Sequence, residues 1–292
     1  MAPRFLLVLG LAAFVGGVSF AWIHARSGYE NRDSLAGVDA AAYAEITQQA
    51  STTPGISSAA PAARGSATST LAAVPILVYH IVRPSLPTDS EGVRKLAVTP
   101  EHFDEQLTHL AAAGYHVIRF ADLDAHLREG APLPPKPIVI TFDDGWSDQY
   151  RYAFPILVKH GYTATFFVFT NAVNHRGFLS WDDLRAMLTA GMTVGDHTRS
   201  HPFLTRITDP ARLWDEIWGS KRTLEEELGV PVTEFAYPFG QFDATTTALL
   251  EKAGFVSARG DYLMKYQDLA HIYALGALNV PTTTEMFARR FP

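Results

Sequence analysis

From residue 74 onward the chain alternates short apolar runs with stretches whose apolar residues recur every three or four positions. The runs "PILVYH" (75–80), "YHVI", "PIVITF", "TATFFVF", "MTVGD", "EFAYP", "FVSA" and "ALNV" predict strands. Between the first two, "TPEHFDEQLTHLAAAG" sets Phe103, Leu107 and Leu110 on one helical face, with Thr99 as cap, Pro100 at the first helical position and Gly114 as stop. Further helices are expected near 120–129, 150–160, 180–190, 209–228, 243–253 and from about 284, the one at 209–228 long and amphipathic. Repeated βα units of this kind predict an α/β fold with a parallel sheet under helices, either a barrel or an open doubly wound sheet.

In both architectures the residues just beyond the carboxyl ends of the strands meet on one face, where ligands bind. The residues at those ends are Tyr79-His80, Asp143-Asp144-Gly145, Asp196-His197 and Tyr237-Pro238-Phe239-Gly240. Chemically capable side chains therefore collect on one face of the expected fold.

The N-terminal part reads differently. Phe5 to Ile23 carries no charge and is long enough to cross a bilayer as a helix, which predicts a membrane anchor or a signal peptide over residues 1–26. Ser19-Phe20-Ala21 would suit cleavage, while the length and the flanking His24 and Arg26 suit an uncleaved anchor. Either reading exports the rest of the chain to the cell envelope or beyond. Residues 27–73, as in "STTPGISSAAPAARGSATST", are rich in Ala, Ser, Thr, Pro and Gly, bury little apolar surface, and are expected to form a disordered linker. The folded domain is placed at 74–292.

Composition removes several functions. A net charge of −6 in 292 residues offers no basic field for a nucleic acid backbone, so no nucleic acid partner is expected. The chain has no cysteine, which excludes disulfide frameworks, thiolate zinc sites and thiol nucleophiles. A transition metal here must use histidine and carboxylate.

"DHTRSH" spaces His197 and His201 four apart, a separation that on a helical turn puts both imidazoles on one side. Two histidines and one aspartate make an N/N/O set with a coordination position left open, the pattern of a catalytic zinc-type site. Adjacent carboxylates at the end of a buried strand repel each other, and burial raises the cost of ionising either. A division of labour removes the conflict: one carboxylate binds a cation, whose charge keeps its neighbour ionised as a general base. The plain readings are an Asp-Gly turn and two unrelated histidines.

Taken together, "ITFDDG", "HTRSH" and "FAYPFG", with "PILVYHIV", "TATFFVF", "FLSWDDL" and "LEEELG" in the same order, resemble the polysaccharide deacetylase family, carbohydrate esterase family 4 or NodB homology domain. The resemblance covers essentially residues 74–292. It implies an incomplete, distorted (β/α)7 barrel and metal-dependent hydrolysis of N-acetyl groups from a polysaccharide containing N-acetylglucosamine. By resemblance, Asp144, His197 and His201 would hold the metal, most often zinc, with cobalt or nickel as substitutes. Asp143 would be the base, and the Tyr237 backbone N–H would hold the oxyanion. His80 and Pro238 would line the substrate site, and Phe239 and Trp181 would stack on sugar rings, although Trp181 equally suits packing at a helix start.

Departures from the family pattern are also expected to matter. The arginine that pairs with the base at the start of "FAYPFG" is here Ala236, which would leave Asp143 without an orienting partner. The late histidine that serves as general acid is missing from "YALGALNVP"; His271, a few residues earlier, is a stand-in or, more in keeping with its position, a surface residue. The same departures make the chain similar to the branch acting on exported poly-N-acetylglucosamine. They also prompt a second reading, a catalytically idle carbohydrate-binding module; a third takes Asp143 and Asp144 as a glycosidase pair, poorly suited because adjacent residues hardly flank a glycosidic bond.

Overall fold

The computed structural model describes residues 71–260 and 266–292. The expected membrane segment and nearly all of the expected linker lie outside the described residues. Among the described residues no helix is long and apolar enough to cross a membrane.

Among the described residues ten strands form in chain order: Ile76–Tyr79 (β1), Ile81–Val82 (β2), Ala97–Val98 (β3), His116–Ile118 (β4), Pro137–Phe142 (β5), Thr165–Val168 (β6), Thr193–Asp196 (β7), Glu234–Ala236 (β8), Ser257–Arg259 (β9) and Leu278–Asn279 (β10). Eight of them make one parallel sheet in the order β10-β1-β5-β6-β7-β8-β9, with β4 pairing beside β5. The remaining pair, β2 and β3, forms a separate two-stranded sheet. Helices separate most of the strands of the large sheet, so the sheet curls toward a barrel without a β9–β10 ladder to close it. Among the described residues, an isolated Arg259–Leu275 bridge and backbone hydrogen bonds from Ala258 and Gly260 to Ile272 and Leu275 link β9 to the segment before β10. This is the incomplete barrel expected from the βα repeats, with an eighth strand in the two-residue β10.

Why β5 reads as an unbroken apolar run is visible in its burial. Ile138 to Phe142 are all buried, and alternate positions feed two clusters, one on each face of the sheet. Tyr79, Phe103, Phe142 and Phe166 stack or meet edge to face beneath the strand ends. The strand that carries Asp143 and Asp144 is therefore held from both sides.

Helix boundaries follow the expected chemistry. The helix Pro100–Ala112 starts on the Thr99 side chain, which accepts from the His102 N–H, and buries Phe103, Leu107 and Leu110. The expected long helix at 209–228 is continuous but changes pitch: α-helical turns at Pro210–Trp214 and Ser220–Leu228 flank a π-helical turn at Asp215–Gly219. The domain also begins before residue 74. Ala72 is buried and bridges Gln267 through paired backbone hydrogen bonds, so the expected linker ends at least two residues early.

One buried carboxyl lies on a helix outside the strand-end cluster. Asp124 Oδ2 accepts from the Ser257 hydroxyl at 3.0 Å, while Oδ1 has no protein partner. Burial, opposed by that hydrogen bond and reinforced by Glu234, pushes Asp124 up to about 7. Between the ordinary aspartate value and that raised value the folded chain holds a proton that the unfolded chain has released. Stability from this group therefore falls as pH rises from about 4 to about 7, by at most about 4 kcal/mol. Asp124→Asn should flatten that slope, and urea midpoints of both chains at pH 5 and pH 8 measure it. Parallel slopes for the two chains would show that Asp124 ionises normally.

Candidate active site

The turn after β5 is built from two successive residues with positive φ, Asp144 at 72° and Gly145 at 71°. Aspartate tolerates that conformation better than most side chains. Glycine is required at the second position, because a Cβ there would collide with Val168 Cγ1 on β6. The turn sends the two neighbouring carboxylates to different partners.

Asp143 is buried, and its Oδ1 accepts from the guanidinium of Arg259. Arg259 ends β9, is fully buried, and lies with its guanidinium carbon 4.7 Å from the ring centre of Phe167. This corrects the expectation that Ala236 leaves Asp143 without an orienting arginine. Ala236 and Arg259 are direct partners in the β8–β9 register, so the guanidinium reaches the same carboxylate from one strand further along the sheet. On the other side of Asp143, His80 Nε2 lies 3.9 Å from Oδ2. Gln149 Nε2 donates to the backbone carbonyls of both Asp143 and His80, tying the ends of β1 and β5 together.

Asp144 faces the histidines. Its Oδ1 is 3.4 Å from His201 Nε2 and 3.7 Å from His197 Nε2, and one donor atom from each of the three residues lies within 4.8 Å of the others. Atoms bound to one tetrahedral zinc are separated by about 3.3–3.6 Å, so the three fit a shared divalent cation. His197 Nδ1 lies 2.6 Å from the Ala236 carbonyl oxygen, which can only accept; Nδ1 therefore carries the proton and Nε2 presents its lone pair. Burial works against ionising Asp144, but the facing His197, His80 and His201 outweigh it and hold the carboxyl well below the usual range. Burial, then the neighbouring His197, pushes His201 down to about 4, leaving it neutral at pH 7. Burial also opposes a charge on His197, yet Asp144 and Asp143 outweigh it and raise the imidazole above its ordinary value.

The histidine pair does not meet on a helical turn as its spacing suggested. Residues 197–203 form a loop in which Thr198 (φ 74°) and His201 (φ 58°) both take left-handed backbone conformations. Side chains stabilise it: Asp196 Oδ1 accepts from the Thr198 N–H at 2.7 Å and from the Ser220 hydroxyl at 2.8 Å, and Thr198 Oγ1 accepts from the His201 N–H at 2.9 Å. Glu216, from the π-helical turn, accepts from the Ser200 N–H at 2.8 Å and from the Ser200 hydroxyl. Burial pushes Asp196 up to about 8 despite those hydrogen bonds.

Of the other expected site residues, Tyr237 does not suit its role. Its N–H already donates to the Arg259 carbonyl at 3.1 Å as part of the β8–β9 pairing, so it is not free to hold an oxyanion. Pro238 is buried and has no N–H. Phe239 has φ 60°, stays 39 % exposed, packs 4.7 Å from the His201 ring and stacks on Phe203 at 3.9 Å. Among the described residues no backbone hydrogen bond is donated by the Phe239 N–H. Trp181 opens the helix Trp181–Thr189, half-buried against the core, as its position after the Ser180 cap allows. His271 is an exposed residue paired with Asp268.

A strand-end aspartate held by a buried arginine stands beside a His/His/Asp triad, and several known proteins that resemble this chain are described as deacetylases. Residues 130–258 match the family described as polysaccharide deacetylase. That match spans somewhat less than half of the chain. Among solved structures, Streptococcus pyogenes deacetylase PplD in complex with acetate superposes with a TM-score of 0.70 at 25 % identity, over 77 % of this chain and 100 % of that one. YxkH of Bacillus subtilis, itself assigned only provisionally as a polysaccharide deacetylase, is 29 % identical over 63 % of this chain and 63 % of its own. This chain thus spans just under two thirds of that relative's length. Poly-beta-1,6-N-acetyl-D-glucosamine N-deacetylase of Staphylococcus aureus is 24 % identical over 61 % of this chain and 68 % of its own. Asp143, Asp144, His197, His201 and the stretch from Ala236 to Phe239 all fall within the matched residues of the deacetylase domain, and Arg259 is the first residue beyond them.

Proposed function

We propose that the domain hydrolyses N-acetyl groups of a polysaccharide containing N-acetylglucosamine, with a divalent metal at Asp144, His197 and His201. The observation that carries the proposal is the convergence of three ligand atoms within 4.8 Å beside a buried, arginine-paired Asp143. Zinc suits the N/N/O donor set, with cobalt or nickel as substitutes, and when bound it would polarise the acetamide carbonyl and make water more acidic.

The chain's own residues supply the remaining steps. Arg259 occupies Asp143 Oδ1, so Oδ2 is the oxygen left to take a proton from the attacking water. The water oxygen bonds to the acetamide carbon, and the carbonyl oxygen gains the displaced electron pair. With the Tyr237 N–H committed to the sheet, that oxygen needs a donor other than the Tyr237 backbone. His80, beside Asp143 Oδ2, is the titratable side chain placed to pass the proton to the nitrogen as the carbon–nitrogen bond breaks. The products are acetate and a free amine on the sugar.

The Staphylococcus aureus relative supports a β-linked N-acetylglucosamine polymer as substrate, and Phe239 with Phe203 offers an exposed aromatic surface next to the metal ligands for a sugar ring. Residues 5–23 support a membrane anchor or export signal, placing the domain in the cell envelope or outside the cell. The idle-module reading loses one of the two departures that prompted it, since Arg259 serves Asp143, and keeps the missing late histidine. The full chain loaded with zinc should release acetate from poly-N-acetylglucosamine, chitin oligomers or peptidoglycan fragments, read as a loss of acetyl mass per sugar. His201→Ala should release none. Glycan binding without acetate release would return the idle module, and shortened chains would return the glycosidase.

A further inference from the structure

Resting on the metal reading above, we propose that Trp146 is the positioning residue of the Asp144 ligand, holding one carboxylate oxygen so that the other alone faces the histidines. The Trp146 indole Nε1–H donates to Asp144 Oδ2 at 3.0 Å. Oδ1 is the oxygen that lies 3.4 and 3.7 Å from His201 and His197. The two oxygens therefore have separate duties.

A carboxylate at the tip of a turn rotates readily about its Cβ–Cγ bond and can offer one oxygen or both to a cation. An indole N–H is a donor only and carries no charge, so it fixes the rotation without competing for the metal. This second partner also compensates for the backbone, because the Asp144 turn has to be maintained at positive φ.

Trp146 is itself held firmly. Its ring stacks on Phe178 with centroids 4.6 Å apart and planes 20° apart. The backbones of the two residues form an isolated antiparallel bridge, Ser147 N–H donates to the Gly177 carbonyl at 2.9 Å, and Leu179 N–H donates to the Gly145 carbonyl at 2.8 Å. The stack continues toward the other ligands: Phe178 meets Phe169 edge to face at 5.4 Å, and Phe169 lies 5.4 Å from the His201 ring. A segment roughly 30 residues downstream of the twin aspartates thus sets the angle of the indole, and the indole sets the angle of the ligand.

Two replacements separate the N–H from the ring. Trp146→Phe keeps an aromatic face for Phe178, and benzothienylalanine at 146 keeps the full bicycle with sulfur where the indole has N–H. Zinc affinity of the full chain, measured by competition with a chelator, should fall roughly tenfold to a hundredfold in both. The visible absorption of the cobalt-loaded chain should also change in both, because a freed Oδ2 alters the number of oxygens around the ion. A merely structural tryptophan would leave the benzothienylalanine chain with wild-type zinc affinity and the wild-type cobalt spectrum, which would overturn this proposal alone. Failure of the wild-type chain to bind zinc or cobalt would overturn the metal reading and this proposal together.

Discussion

Asp143→Asn should retain zinc and lose turnover, with kcat for acetate release falling by about 10²–10⁴. The amide cannot accept the water's proton, yet its oxygen still accepts from Arg259, so the side chain stays in place. The three ligand atoms are on other residues, so zinc stoichiometry should be unchanged. Acetate release in parallel with zinc content measures both halves. Wild-type turnover in this variant would remove Asp143 as the base, whereas loss of zinc would make it a ligand.

Arg259→Met should be costly in two ways. It leaves a carboxylate that is 1 % exposed without its cation, a change that typically destabilises by about 3–5 kcal/mol. It also frees Oδ1, so the base no longer holds a single orientation and kcat should fall by at least about tenfold. Arg259→Lys restores the charge but not the planar fork, and should recover more stability than turnover. Because Ala236 is the direct register partner of Arg259, moving the arginine, by Ala236→Arg in the Arg259→Met chain, should restore part of the lost turnover. Urea unfolding and steady-state kinetics on the four chains distinguish these outcomes. Full activity in Arg259→Met would show that the ion pair serves the fold and not the base.

Much of this site was legible because parallel βα architecture converts strand ends into one surface. Asp143, Asp144, His197 and Phe239 each follow a short apolar run, and each lies in the same cluster of contacts. Arg259 follows the same rule, as a charge closing the "FVSA" strand, but the family pattern points to an arginine on the preceding strand and so away from it. Only the sheet register makes the two positions equivalent. The loop geometry of His197 and His201 was out of reach for a related reason: spacing alone suits a helical turn, while the left-handed backbone at Thr198 and His201 depends on Asp196, Ser220 and Glu216 from other segments. Tyr237 shows the limit most simply. Whether a given N–H is used up in a sheet depends on its neighbour strand, and no local pattern records it.

The most direct test of the metal reading is an anomalous difference map at the zinc edge, from crystals of the chain grown with zinc. The account predicts one dominant peak in contact with Asp144 Oδ1, His197 Nε2 and His201 Nε2, adjacent to Asp143 but not bound by it. A zinc-saturated crystal with no peak there, or with its peak on other side chains, would contradict it.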